Sequence, residues 1–252
     1  MTKLPKYEEL KPRAQLEHLV NSFWIHRNLS DEPESMTIFP DSFFKMVIFF
    51  KGDTISKYFM TGLWTSQKEI VIPPKSQTLG CRFQLLAPEY LFNREIASLL
   101  DEIRQLDLTY CNVERFNLSN FEESVKQWER ELIAMKPTTQ IQGHKLRLSQ
   151  LLYQAKGDIT ASEVSNQIFW ANRQINRYMN KYLGVSLKKY LNIQKCYQSY
   201  LHIREGELKP EDFYYDQAHF IKEIKKHTGE TPGSLYQSQN DRFIQLRNIQ
   251  SE

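Results

Sequence analysis

Between about residue 15 and residue 86 the chain repeats short aromatic and β-branched runs separated by turn signals, a pattern that predicts strands. The runs are Leu19–Ile25, Met36–Phe39, Phe43–Phe50, Tyr58–Trp64, Glu69–Ile72 and Thr78–Leu85. Pro40-Asp41 is a turn signal, and Lys51-Gly52-Asp53 reads as a hairpin turn. Pro73-Pro74 stops one run and marks an edge or corner. Many short strands at regular spacing predict a barrel or a sandwich.

After Pro88 the period changes. Apolar residues at Leu91, Ile96, Leu99, Leu100 and Ile103 have helical spacing and predict a helix from Glu89 to Leu106. Ser119 followed by Glu122 and Glu123 is a capping-box arrangement, opening a helix through Val125, Trp128, Leu132 and Ile133. Pro137 stops that helix, which divides the chain into domains at 1–137 and 138–252. From Lys145 the pattern is helical nearly to the end, with no repeat of fixed period and no low-complexity tract.

Within the helical part, Thr160 is placed to cap Ala161–Ile168, and Phe169-Trp170-Ala171 forms a turn. Asn172–Tyr182 is the next helix, and Gly184 closes it. Ile175, Tyr178, Met179 and Tyr182 fall on one face and should pack inward; Arg173, Asn176, Arg177 and Asn180 fall on the other. An ordinary amphipathic surface helix fits the same pattern.

Charge sharpens the picture. The 252 residues carry a net charge of only +3. From Ile141 onward, however, 16 Lys/Arg face 11 Asp/Glu, a net of +5, which leaves the first 140 residues at −2. From Val164 to Arg204 there is no Asp or Glu but seven Lys/Arg: Arg173, Arg177, Lys181, Lys188, Lys189, Lys195 and Arg204. Such a face suits a polyanion, because each cation on a phosphate releases condensed counterions. Arg, Asn and Gln are also shaped to read base edges. A solvated basic surface is the plainer reading of the charges alone.

Composition narrows the class. Hydrophobic content of 40% and charged content of 25% describe a soluble globular protein, and no apolar run of membrane-spanning length exists. The N-terminus lacks the apolar core of a signal peptide. Cys81, Cys111 and Cys196 are widely spaced without a CxxC, which argues for the reducing cytoplasm and against a structural zinc site.

Candidate chemistry is sparse. His18 and His26 show no metal-ligand spacing, so no metal and no cofactor are expected. Cys81 lies in an apolar run and reads as packing rather than a nucleophile, and no catalytic residue or enzyme activity is expected. Trp24 and Trp64, with Phe23, Phe49 and Phe83, either line a small-molecule pocket or form plain core; the ligand-binding residues stay unassigned.

The stretches Arg173–Met179 and Gly184–Leu191 resemble the first helix-turn-helix of the AraC/XylS family of bacterial transcription regulators. Tyr214–Pro232 resembles that family's C-terminal signature, in which a Tyr-rich turn and Asp open a second recognition helix and Gly-x-Thr-Pro ends it. Local physics agrees: Asp216 can cap a helix, Gly229 can take the left-handed conformation, and Pro232 bars continuation. The match spans roughly Gln150 to Tyr236 and departs from the pattern twice. Ala171 stands where the family has a Ser-like cap, and the segment from Leu201 to Tyr214, with Pro210, is short, so the second unit is abbreviated.

The N-terminal half, at Ser22–Ile25, Ile38–Asp41 and Met46–Phe49, resembles the cupin-like sensor domain of a subset of these regulators. The fold class expected is therefore α+β: an N-terminal β-barrel-like domain with following helices, and a C-terminal all-α helix-turn-helix domain. The resemblance implies two helices in successive major-groove segments. Asn172, Arg173, Asn176, Arg177 and Asn180 are the DNA-contacting residues of the first helix; Gln217, Ala218, Lys222, Lys225 and Lys226 are those of the second. The expected partner is double-stranded DNA; the resemblance also admits a small-molecule effector, a second copy of the chain and RNA polymerase, but no membrane. The competing reading is a ligand-binding or enzymatic barrel whose basic helical domain docks another protein.

Overall fold

Successive side chains of a strand point to opposite faces, and runs such as Phe23-Trp24-Ile25 and Met46-Val47-Ile48-Phe49 therefore make both faces of one sheet apolar. The computed structural model describes residues 5–116, 118, 120–136, 139–209 and 214–237. Its strands are β1 (Tyr7–Leu10), β2 (Val20–Asn28), β3 (Glu34–Ile38), β4 (Phe44–Lys51), β5 (Thr54–Thr61), β6 (Lys68–Ile72), β7 (Ser76–Phe83) and β8 (Ile103–Gln105). Six form an antiparallel sheet in the order β1-β2-β7-β4-β5-β8, while β3 and β6 pair only with each other as an antiparallel ribbon. The turn at Gly52, with φ of 58°, joins β4 to β5 as the sequence predicts.

The expected barrel-like closure is not seen. Among the described residues the sheet ends on the short strands β1 and β8, and the β3–β6 ribbon stands separate from it. One face of the sheet carries Phe23, Ile25, Met46, Ile48, Tyr58, Met60, Leu79 and Cys81, all buried. This face belongs to the main core, where Trp128 of helix α2 (Phe121–Met135) meets the rings of Phe23 and Phe116 at 5.8 and 5.7 Å. The other face, including Trp24, Val47, Phe49 and Arg82, joins Met36, Ile38, Ile70 and Ile72 of the ribbon around a cavity.

The helix expected from Glu89 to Leu106 is absent. A single short helix, α1 (Ala87–Tyr90), is followed by a 3-10 turn at Ala97–Leu99 and then by β8. Asn93 and Asp101 take left-handed backbone angles that break a helix. The backbone N–H groups go elsewhere: Ile96 donates to Tyr182 O at 2.9 Å and Asp101 to Leu63 O at 2.9 Å. Leu91, Ile96 and Leu99 are buried as the spacing suggests, but Ile103 is exposed on an edge strand. Helix α2 is capped by Asn120, whose side chain accepts Glu123 N–H. The cap expected at Ser119 and the boundary at Pro137 lie outside the described residues.

Among the described residues six helices follow: α3 (Gly143–Ala155), α4 (Ala161–Ile168), α5 (Asn172–Leu183), α6 (Leu187–Arg204), α7 (Gln217–Thr228) and α8 (Pro232–Gln237). Thr160 caps α4 as predicted, and Glu163 returns a bond to it to complete a capping box. Among the described residues no helix is long and apolar enough to cross a membrane.

The two halves share buried packing. One apolar cluster runs from Leu16 through the sheet to Leu191 of α6. Tyr190 OH donates to Ser42 O at 3.3 Å and lies within hydrogen-bond distance of Tyr153 OH at 3.1 Å, and Tyr153 OH accepts Leu85 N–H at 2.9 Å. Lys145 pairs with Glu89 at 2.7 Å. A second cluster sets Phe39, on the loop after β3, against Tyr200 of α6, together with Phe220 and Ile224 of α7.

Candidate functional site

Helix α5 starts at Ala171, which offers no side-chain cap, and ends at Gly184, whose φ of 78° provides the left-handed exit. Ile175, Tyr178, Met179 and Leu183 are buried and Tyr182 is half-buried, so this side holds the helix to the core. Arg173, Arg177 and Asn180 are exposed on the opposite side, flanked by Gln174 and Lys181. Sequence reasoning left out those two flanking residues, although Lys181 stands in the acid-free stretch. Asn172 is exposed at the first turn.

Asn176 is turned differently from the expected base-reading face. It is half-buried; its amide nitrogen donates to Asn172 O at 2.9 Å and Asn172 Oδ1 at 2.6 Å. Its oxygen accepts Leu187 N–H at 3.0 Å, a contact that pins the start of α6. Ser186 caps the same helix by accepting Lys189 N–H at 3.2 Å. These bonds engage the Asn176 amide within the protein and join α5 to α6.

Helix α7 follows the same plan. It has the same length as α5, 12 residues, and ends on Gly229 with φ of 72°. Position by position, Asn172 corresponds to Gln217, Arg173 to Ala218, Arg177 to Lys222, Asn180 to Lys225 and Lys181 to Lys226. The buried positions match too, Ile175 with Phe220 and Met179 with Ile224. The correspondence is hidden in the sequence because the identities are few; only burial and caps align it. Asp216 caps α7 as predicted, accepting His219 N–H at 2.7 Å. Gln217, Ala218, Lys222, Lys225 and Lys226 are all exposed, with Lys226 3.7 Å from Glu223. Pro210, on which the expected abbreviation rests, lies outside the described residues.

The far end of α7 touches the sheet half. His227 Nδ1 lies 3.2 Å from Thr65 O, and Gln67 N–H donates to His227 O at 3.2 Å. Burial lowers the pKa of this imidazole, with nearby Glu223 opposing the shift. Thr65 is held in turn by Asp101, which accepts its backbone N–H at 2.7 Å and its hydroxyl at 2.6 Å.

Asp101 and Trp64 line the cavity beneath the ribbon, whose volume is about 260 Å³. Trp24, Trp64 and Phe49 are in its wall as the aromatic pattern suggested; Phe23 and Phe83 are not, since alternation sends them to the opposite face. Three cations line the cavity, Lys68 among them, and two of these are ion-paired. Lys45 Nζ is 2.7 Å from Asp41, and Arg82 bonds Glu9 at 2.9 Å and Tyr7 OH at 3.1 Å. Burial lowers the Lys45 pKa against the pull of Asp41. For Glu9 burial acts upward, but Arg82 and the hydrogen bonds outweigh it and hold the carboxyl low. His26 is driven down to about 4 by burial, with Glu34 opposing the shift.

Residues 8–105 match a family model described as a domain of unknown function, DUF6597. A search of the curated proteins found no match. Solved structures that resemble the chain include ToxT from Vibrio cholerae O395, at 9% identity and a TM-score of 0.45, covering 94% of this chain and 99% of that one. ToxT from strain SCE256 bound to an unsaturated fatty acid gives 11% identity and a TM-score of 0.44, covering 85% and 94%. At this level of similarity neither ligand nor site residues transfer.

Proposed function

We propose that the chain is a transcription regulator of the AraC/XylS type that reads double-stranded DNA through α5 and α7. The observation that carries this is the doubled helix design: two helices of equal length, each docked by an apolar side and each presenting a polar, basic side to solvent. Arg173 and Arg177 suit guanine edges or phosphates, Gln174 offers its amide to bases, and Asn180, whose nitrogen donates to Asn176 O at 2.8 Å, offers its oxygen. Lys222, Lys225 and Lys226 suit phosphates, giving the second helix a positioning role.

In this reading residues 138–252 form the DNA-binding domain and 1–137 a sensing or dimerising domain, with no catalysis assigned to either. A small-molecule effector, a second copy and RNA polymerase are its further partners. Cys81, Cys111 and Cys196 are buried and free of disulfides, in keeping with a reducing cytoplasm.

Salt dependence tests the interface. Six phosphate contacts give a slope of about −5 in log affinity against log salt. Binding that barely changes with salt would assign the basic face to protein docking instead.

A further inference from the structure

We infer that the cavity between the six-stranded sheet and the β3–β6 ribbon binds an uncharged, ring-bearing apolar molecule that carries a hydrogen-bond acceptor. This deepens the sensor half of the proposed function and rests on it. Binding is measured without DNA, so its failure leaves the DNA interface standing, and failure of DNA binding leaves the cavity's ligand class standing.

Three observations lead to the ligand class. The first is size and surface. An apolar cavity of about 150 Å³ takes one benzene ring, and the roughly 260 Å³ here has room for a second. Trp24, Trp64, Phe49 and Phe59 supply flat walls, with Met36 and Ile72 between them. Gly80 makes the fit possible on the sheet side. A Cβ there would lie 2.0 Å from the Trp24 ring, so only glycine lets the indole lie flat across β7.

The second observation is charge balance. Both cations of the deep wall are spoken for: Lys45 by Asp41, and Arg82 by Glu9 with Tyr7, and at 3.8 Å by Asp41. The imidazole of His26, with a pKa near 4, is neutral at physiological pH. At the mouth, Lys68 stacks on Trp64 at 5.1 Å, and Asp101 and Glu102 line the same opening. An anionic group reaching the deep wall would therefore find no spare cation there, and an ion buried without a partner is strongly disfavoured.

The third observation is unmet hydrogen bonding in the same wall. Trp24 Nε1, Thr78 Oγ1 and His26 Nδ1 are buried and have no hydrogen-bond partner among the described residues. His26 and Thr78 sit directly opposite each other in the β2–β7 register, and Trp24 is on the same face of β2. An indole N–H only donates, so its partner must accept. A hydroxyl or carbonyl oxygen on the ligand meets this group of atoms, and a hydroxyl can also return a proton to His26 or Thr78.

The test uses the full chain and a matched pair of probes, 2-naphthol and 2-naphthoate, titrated calorimetrically at pH 7 with tryptophan fluorescence as a second readout. We expect one 2-naphthol per chain, bound about tenfold more tightly than 2-naphthoate. Val47→Phe, which fills the cavity, should abolish binding. Thr78→Val keeps the side-chain shape and should weaken 2-naphthol about three- to tenfold; it carries the test if Val47→Phe fails to fold. Equal or tighter binding of 2-naphthoate, no binding of 2-naphthol to the folded chain, or full affinity in Thr78→Val would overturn the inference.

Discussion

Asn176 Oδ1 accepts the backbone N–H of Leu187 at 3.0 Å, so a side chain on α5 closes the first turn of α6. The same amide bonds Asn172 twice, leaving it no free edge for a base. Asn176→Ala should lower stability by about 1 kcal/mol, the usual cost of losing a helix-start acceptor, without changing which DNA sequence is preferred. Urea unfolding reads the first part and DNA selection the second; a changed base preference with full stability would return Asn176 to the reading face.

Arg177 lies at the centre of the exposed arc of α5. Arg177→Ala should cost about 1–3 kcal/mol of specific DNA affinity with the unfolding curve unchanged. Lys225→Ala should instead weaken all sequences alike and reduce the salt slope by about 1. Titrations of each variant at several salt concentrations separate the two roles.

His26 makes stability depend on pH. Its pKa in the fold, about 4, is below the ordinary value of 6.5, because burial disfavours the imidazolium. Between those values the unfolded chain holds a proton that the folded chain does not. Stability from this residue is therefore complete above about pH 6.5 and falls as pH drops toward 4, by up to about 3 kcal/mol. Carboxylates titrate in part of this window, so the readout is the difference between wild type and His26→Leu. The variant should show the shallower decline; parallel curves would mean that His26 takes up its proton at the same pH in the folded and unfolded chain.

Gly80 sits under the Trp24 indole, where a Cβ would be 2.0 Å from the ring. Gly80→Ala should displace the ring, lower stability by about 1–3 kcal/mol and shift tryptophan emission. An unchanged melt and spectrum would show that the ring does not rest on β7.

Where each element's sequence carried its own reasons, it was legible. The strands follow alternation, and Thr160, Gly184, Asp216 and Gly229 cap their helices by chemistry written locally. What tertiary partners decide was not legible. Leu91, Ile96 and Leu99 have helical spacing and are buried, yet Ile96 N–H is claimed by Tyr182 O, far along the chain, and the helix does not form. The commitment of Asn176 to Leu187 depends on where α6 begins. Phe23 and Phe83 look like pocket residues beside Trp24, but a one-position difference in alternation sends them to the α2 side. The correspondence of α5 with α7 shows in burial and caps rather than in identities.

DNA reading by α5 and α7 is the central claim, and selection from a randomised duplex pool tests it most directly. Wild type and an Arg173→Ala, Arg177→Ala double variant are incubated with the pool at moderate salt, and the bound DNA is sequenced. Wild type should enrich a motif that is lost with the double variant, while weak, salt-sensitive binding through the lysines of α7 persists. No retention of DNA by wild type even at low salt would contradict it.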